Sequence, residues 1–408
     1  MLWLPLRADH LFVPMDDTQS NHLKAYGVAY WILERQIHVD WLLNYRGGSF
    51  LFTYEELLEQ ELIIRGVSYQ ILGSGEVNQI LDIIAAEDSN MDLMKLEKVP
   101  KIAVYSPESK QPWDDAVTLV LSYAQIPYDL IFDDEIIHHD LVKYDWLHLH
   151  HEDFTGQGGK FLASHGNSRW YQQQQKEQLK MAHKHGFRKI SKLKSQVVNN
   201  VKDYVKGGGF LFAMCSATDT FDIALAAQRV DICESVYDGD PVTPGVNTRL
   251  DFEQTFAFTN FKVTTNPYVY EYSDIDTSLQ GRGVGESNDY FTLFQFSAKW
   301  DPIPTMLTQN HLHVIKGFMG QTTAFRKDLI KSSVITMGEN KDLGEARYIH
   351  GTLGKGFWTF YGGHDPEDYQ HFVGEPPTDL NLHANSAGYR LILNNILFPS
   401  ARKKKLKT

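Results

Sequence analysis

Short apolar runs alternate with amphipathic stretches along the first hundred residues. Leu11-Phe12-Val13 is a brief apolar run, and residues 21–35 carry helical spacing in Leu23, Tyr26, Ala29, Tyr30 and Leu33. Residues 39–43 and 49–52 read as strands on either side of a turn at Arg46-Gly47-Gly48, which is either a hairpin turn or a holder for an anionic group. Residues 54–62 then predict a helix, 69–72 a strand and 77–86 a helix. Alternation of this kind predicts layered α/β structure in an N-terminal region, 1–97. A polar, lysine-bearing stretch over 87–100 reads as a linker.

The alternation then restarts in a second unit, 98–400. Residues 101–105 are a buried-strand run. A helix over 113–124 follows Pro112, with Asp114 and Asp115 in its first turn, where acidic side chains meet the positive end of the helix dipole. Strands follow at 128–132 and 144–149. Residues 154–192, rich in Gly, Gln, His and Lys, break the pattern and read as an insertion or lid over one end of the sheet. A helix over 195–206 stops at Gly207-Gly208-Gly209, a fully apolar strand runs from Phe210 to Met214, and another helix occupies 217–227. Short alternating runs over 246–300 predict a β-rich insertion. Strands at 333–337, 347–350 and 356–361 and a helix over 384–397 complete the pattern, and 401–408 is a basic tail read as solvated.

Composition narrows the function classes. An apolar share of 42% with 22% charged residues is that of a folded chain, and a net charge of -12 argues against nucleic acid or an anionic membrane as the main partner. No run approaches the length of a membrane helix. The apolar start, Met1 to Ala8, is too short for a full export signal; it suits either the remnant of one, which would make the protein periplasmic or exported, or a short arm of a cytoplasmic protein. The many aromatic residues, 8 Trp, 20 Tyr and 23 Phe, build a core or line a ligand site.

The two cysteines, Cys215 and Cys233, are too few for a disulfide framework. Cys215 stands where the apolar strand meets the next helix. Such a residue is presented at the carboxyl end of a sheet, where ligands bind in open α/β folds. The helix N-terminus behind it favours a thiolate, and a tight turn there needs small residues two positions to either side, here Ala213 and Ala217. The alternative is an inert core cysteine.

From Lys101 onward the chain resembles the class I glutamine amidotransferase superfamily, which includes ThuA-like proteins. The family's Gly-x-Cys-x-Gly elbow is here Ala213-Met214-Cys215-Ser216-Ala217. Its late His-x-Glu, placed after a strand, corresponds to His364-Asp365-Pro366-Glu367, with one residue more in the spacing. The resemblance implies a flavodoxin-like three-layer parallel sheet, Cys215 as nucleophile, His364 as base, and Glu367 or Asp365 to orient it. It also implies an oxyanion donor at Ser216 and a second on the loop after Leu149, with Gly156, Gly158 and Gly159 for close backbone approach and His151 and Glu152 beside them. Over nearly its full length the chain is similar to a bacterial family sometimes labelled asparagine synthetase B. That label's chemistry needs a Cys directly after the initiator Met, where this chain has Leu2, and a Ser-Gly-Gly-x-Asp-Ser loop, which the sequence lacks.

The expectation is therefore a cysteine-dependent amidohydrolase acting on a small molecule. The alternatives are a non-catalytic ThuA-like protein that binds carbohydrate, and a sugar hydrolase or isomerase that does not use the thiol. No cofactor is expected. His148, His150, His151, Glu152 and Asp153, and separately His311-x-His313, do not spell a defined donor set, so no metal is expected either.

Overall fold

Two sheets organise the chain. The computed structural model describes residues 9–107, 112–277, 284–370 and 372–402. The apolar start and the tail beyond Arg402 lie outside them.

The first sheet has the order β4-β1-β3-β2-β5, every neighbour antiparallel. It is built from β1 (His10–Val13), β2 (Val39–Leu43), β3 (Ser49–Thr53), β4 (Gln70–Leu72) and β5 (Asp92–Leu96). The period-2 pattern divides its faces. Leu11, Val13, Trp41, Phe50 and Phe52 join one core with α1 (His22–Glu34) and α2 (Glu56–Arg65), whereas Phe12, Leu42 and Leu51 pack on the other face with α3 (Ser74–Ala85). The expected linker is thus corrected: β5 lies inside it and pairs with β2, so the stretch closes an edge of the sheet.

The second sheet is mixed. Its parallel part runs β7-β6-β8-β9-β15, from β6 (Ile102–Tyr105), β7 (Asp129–Ile131), β8 (Trp146–Leu149), β9 (Phe210–Met214) and β15 (Gly356–Tyr361). Beyond β15 it continues antiparallel through β14 (Glu345–Leu353), β13 (Ile335–Asn340), β10 (Tyr290–Leu293) and β11 (Val314–Lys316), with β12 (Phe325–Arg326) also on β14. The apolar run of β9 is explained by burial on both sides: Phe210, Phe212 and Met214 face the core shared with the N-terminal region, and Leu211 and Ala213 face the opposite core. On the first side lie α4 (Ala116–Ala124) and α8 (Ala387–Leu397); on the second lie α6 (Ile190–Gly207) and α7 (Ser216–Ala226). The protein is therefore of mixed α/β class. The N-terminal region docks by close backbone approach, since a Cβ on Gly27 of α1 would sit 1.9 Å from the carbonyl oxygen of Ala124 at the end of α4.

The two expected insertions take different forms, and only the β-rich reading of 246–300 is corrected. Residues 154–192 are mainly helical and hold α5 (Arg169–Lys184). The span 246–300 contains only one strand, β10, among its described residues. Its alternating aromatics, including Phe256 and Phe258, are buried, but their backbone amides go to a side chain: Phe256, Ala257 and Phe258 all donate to the Asp222 carboxylate, at 2.7, 2.7 and 2.9 Å. A carboxylate that takes three amides replaces the ladder a strand would need. No described helix is long and apolar enough to cross a membrane.

Candidate functional site

Three neighbouring parallel strands bring their carboxyl ends together, and each is followed by a residue with useful chemistry: His150 after β8, Cys215 after β9 and His364 shortly after β15. Cys215 has φ 49° and ψ -140°, a left-handed conformation that costs a non-glycine residue about 1–3 kcal/mol. Its neighbours hold it there. The Cys215 amide donates to the Gly363 carbonyl at 3.1 Å, the Ala217 amide donates to the His150 carbonyl at 2.9 Å, and the Thr218 hydroxyl donates to the Cys215 carbonyl at 2.6 Å. The loops after β8 and β15 thereby clamp the turn.

The sulfur lines a cavity of about 250 Å³ together with His151, His364, Gly320, Gln321 and the rings of Trp113, Phe161, Tyr270 and Phe372. The Gln321 amide donates to the Cys215 Sγ at 3.3 Å. Burial pushes the thiol up to about 11, against the opposing pull of the Gln321, Ser216 and Thr322 amides. The resting group is a thiol. Cys233, the other cysteine, is buried, donates to the Thr155 carbonyl and is raised still further by burial.

The loop carrying Gln321 is joined edge to edge with the segment carrying His364. The His364 amide donates to the Met319 carbonyl at 3.1 Å and the Gly363 amide to the Thr322 carbonyl at 2.8 Å. Gly320 lies in the seam, where an added Cβ would stand 2.8 Å from the His364 nitrogen and 3.1 Å from the Cys215 sulfur.

The carboxylates expected to orient His364 are occupied elsewhere. Asp365 is fully buried and accepts from the Glu367 amide at 3.0 Å, the Tyr389 hydroxyl at 2.8 Å and the Thr378 hydroxyl at 2.9 Å, so it anchors α8. Glu367 pairs with His383 at 3.3 Å. The ring that meets His364 belongs to His150, with centroids 4.5 Å apart, and His151 stacks at 5.9 Å. Behind His150 stands Asp115, 3.4 Å from its Nδ1 and 3.3 Å from the Nε2 of His148. Asp115 also caps α4, accepting from the Val117 and Thr118 amides at 2.8 Å each. Burial alone would raise this carboxyl, but the two imidazoles outweigh it and hold it well below its usual range. Burial likewise works against charge on His150, and Asp115 overcomes it, so His150 is raised. Glu152 accepts from the His150 amide at 3.2 Å, and burial with the nearby Asp115 charge pushes it up to about 7.

The expected oxyanion loop is only partly in place. His151 lines the cavity, while Glu152 and Gly159 line an adjoining cleft. The Gly159 amide turns back to Asp153 at 3.0 Å, and Gly156 and Gly158 pack on Ser191 and Tyr171. The amides directed at the sulfur are those of Gln321, Ser216 and Thr322; the sequence does not signal Gln321 or Thr322. The Gln321 side chain ties the two loops by donating to the Gly159 carbonyl at 2.7 Å.

No family model matches this chain, and no curated protein matches it. Among solved structures it is similar to two cytoplasmic proteins of Salmonella typhimurium, each 11% identical, covering 74% of this chain and 100% of theirs, with TM-scores of 0.36 and 0.33. A catalytic mutant of a GH42 β-galactosidase from G. stearothermophilus is 12% identical and covers 65% of this chain and 27% of its own, with a TM-score of 0.27. Likeness at this level assigns neither a family nor an activity.

Proposed function

We propose that this chain is a cysteine-dependent amidohydrolase, glutaminase-like in chemistry, acting on a small carboxamide in the cavity at Cys215. One observation carries the reading: a cysteine in a left-handed strand-to-helix turn, its sulfur on the same cavity as an imidazole and within reach of backbone amides. The order of the parallel strands, 2-1-3-4-5 when counted along the chain, with helices on both faces, supports a flavodoxin-like three-layer domain of the class I glutamine amidotransferase-like kind.

In this reading the Cys215 proton passes to His364 as the sulfur–carbon bond forms, because a buried thiol does not ionise in advance. The Gln321 and Ser216 amides stabilise the oxyanion. The imidazolium returns its proton to the departing nitrogen, ammonia leaves, and water then cleaves the thioester. His150, braced by Asp115, is a positioning residue for His364, the role first expected of Asp365 or Glu367.

The rings of Trp113, Phe161, Tyr270 and Phe372 favour a second reading, a non-catalytic ThuA-like protein that stacks a sugar in the same cavity. Ammonia release from glutamine and other primary carboxamides separates the two. Cys215→Ala should lower turnover by ~10⁴-fold or more. Undiminished turnover in that variant rejects the thiol mechanism. Sugar binding without any ammonia release by the unaltered chain replaces the hydrolase with the binding protein.

A further inference from the structure

Three groups of side chains in the described residues place cation-ligating atoms close together. The first, Asp231, Cys233 and Asp238, already has a cation: Lys189 Nζ lies 2.7 Å from Asp231 and 3.0 Å from Asp238. The second, Asp115, His148 and His150, is a mutually bonded set within the core, at 3.3–3.4 Å. The third, His150, His151 and His364, has ligand atoms within 4.8 Å of one another, and two of its members line the cavity.

We propose that His150, His151 and His364 form a binding site for a borderline divalent cation of the zinc class, with one coordination position open to the cavity. Three imidazoles, which ligate in their neutral form and so give up any proton on binding, with an open fourth position are a donor set that zinc accepts, and imidazole nitrogen disfavours magnesium and calcium. The second group supplies what such a site needs behind it. A ligating histidine ordinarily gives its other ring nitrogen to a carboxylate, which fixes the tautomer and ring direction. His150 does this with its Nδ1 against Asp115, and its Nε2, on a ring buried from solvent, has no hydrogen-bond partner among the described residues. Asp115 is itself fixed by the α4 amides, so the brace is rigid. Cys215 lines the same cavity but is not one of the clustered ligands.

The binding does not depend on the hydrolase reading; its consequence does. A cation on His364 occupies the lone pair that would accept the thiol proton, so the loaded protein would be held inactive and removal of the cation would release it.

Equilibrium dialysis of the full chain against Zn²⁺, with Co²⁺ absorption as a second readout, tests the site. The expected result is one equivalent retained by the unaltered chain and by Cys215→Ser. Affinity should fall by at least ~10-fold in His151→Ala, His364→Ala and Asp115→Asn, on the scale of metal-site losses. His151 is the safest of these, because its ring is at the cavity surface, and circular dichroism identifies any variant that has unfolded. Failure to retain an equivalent, or equal retention in folded His151→Ala and His364→Ala, overturns the site. Ammonia release that Zn²⁺ leaves untouched overturns the inhibition alone. A metal-free chain that releases no ammonia overturns the hydrolase reading and leaves the site standing.

Discussion

The two halves of the central sheet handle buried charge in opposite ways. The parallel half gathers ionisable groups at the carboxyl ends of its strands: His148 near the end of β8, His150, Cys215 and His364 just past β8, β9 and β15, and Asp115 at the cap of α4. The antiparallel half carries charge within the sheet. Arg347, on β14, is fully buried; it pairs with Asp289, donates to Glu345 at 3.2 Å and gives a third bond to the Phe318 carbonyl at 3.1 Å. Cys215 and His364 line a cavity, where a side chain has room to change partners. Groups inside a sheet have fixed partners, and removing one leaves the others stranded in a medium that solvates them poorly. The sheet therefore separates charge beside a cavity from charge held within its own strands.

Breaking the antiparallel half should have the larger effect on folding. Arg347→Met removes a buried guanidinium that Asp289 and Glu345 share, and the expected loss of stability is about 3–5 kcal/mol. Urea unfolding measures it; a loss below ~1 kcal/mol would remove the distinction between the halves, since that is the worth of an exposed pair.

Acid tests the seam between this half and α1. His22 on α1 stacks on His311 just ahead of β11, with ring centroids 4.1 Å apart. Burial, then the nearby Arg390 charge, lowers His22 to about 4; burial, His22 and Arg390 lower His311 to about 3. The unfolded chain takes up these protons near pH 6.5 and the folded chain does not, so stability is complete above pH 6.5 and declines as pH falls toward 4. Part of His311 is exposed, which reduces its share, and a decline of about 2 kcal/mol is expected over that window. Replacing His22 with Gln should flatten the curve between those limits; an unchanged slope assigns the acid sensitivity to other groups.

Gly320→Ala sharpens the comparison from the parallel side. The added methyl presses on the His364 backbone nitrogen and the Cys215 sulfur, so a modest stability cost of about 1–2 kcal/mol should accompany a larger proportional loss of ammonia release. A variant that loses stability while retaining full turnover would mean that the seam does not position the pair.

Much of the parallel half was legible, because strands covered on both faces read as continuous apolar runs. Phe210 to Met214 and the turn residue Cys215 were visible for that reason, as were β6, β8 and β15. The antiparallel ladder was less so: β13 and β14 extend to Asn340 and Leu353, well past the apolar cores that signalled them. At the site, Cys215, His364, His151 and Ser216 could be placed by their position after a strand or at a helix start. Gln321 and Gly320 could not, since they lie on an irregular loop whose only signal is spatial. Asp115 was read as a favourable charge in a first helical turn. It is the cap of that helix and the brace of two histidines more than thirty residues away, a second duty that no local pattern encodes. The aromatic alternation over 246–300 misled because it reports burial, and burial was reached there without strands.

The last helix has a consequence for the order of assembly. Arg390 donates to the carbonyls of Met15 and Gly47, Asn394 meets the Tyr26 hydroxyl, and the Glu97 amide donates to the Ser400 carbonyl at 2.9 Å. The N-terminal region thus receives part of its hydrogen bonding from residues translated about 300–375 positions later. During vectorial synthesis the carbonyls of Met15 and Gly47 and the outer side of α1 wait for these partners until α8 leaves the ribosome. Nascent chains halted before residue 387 should therefore be marked targets for holdase chaperones, and maturation should be completed in a single late step.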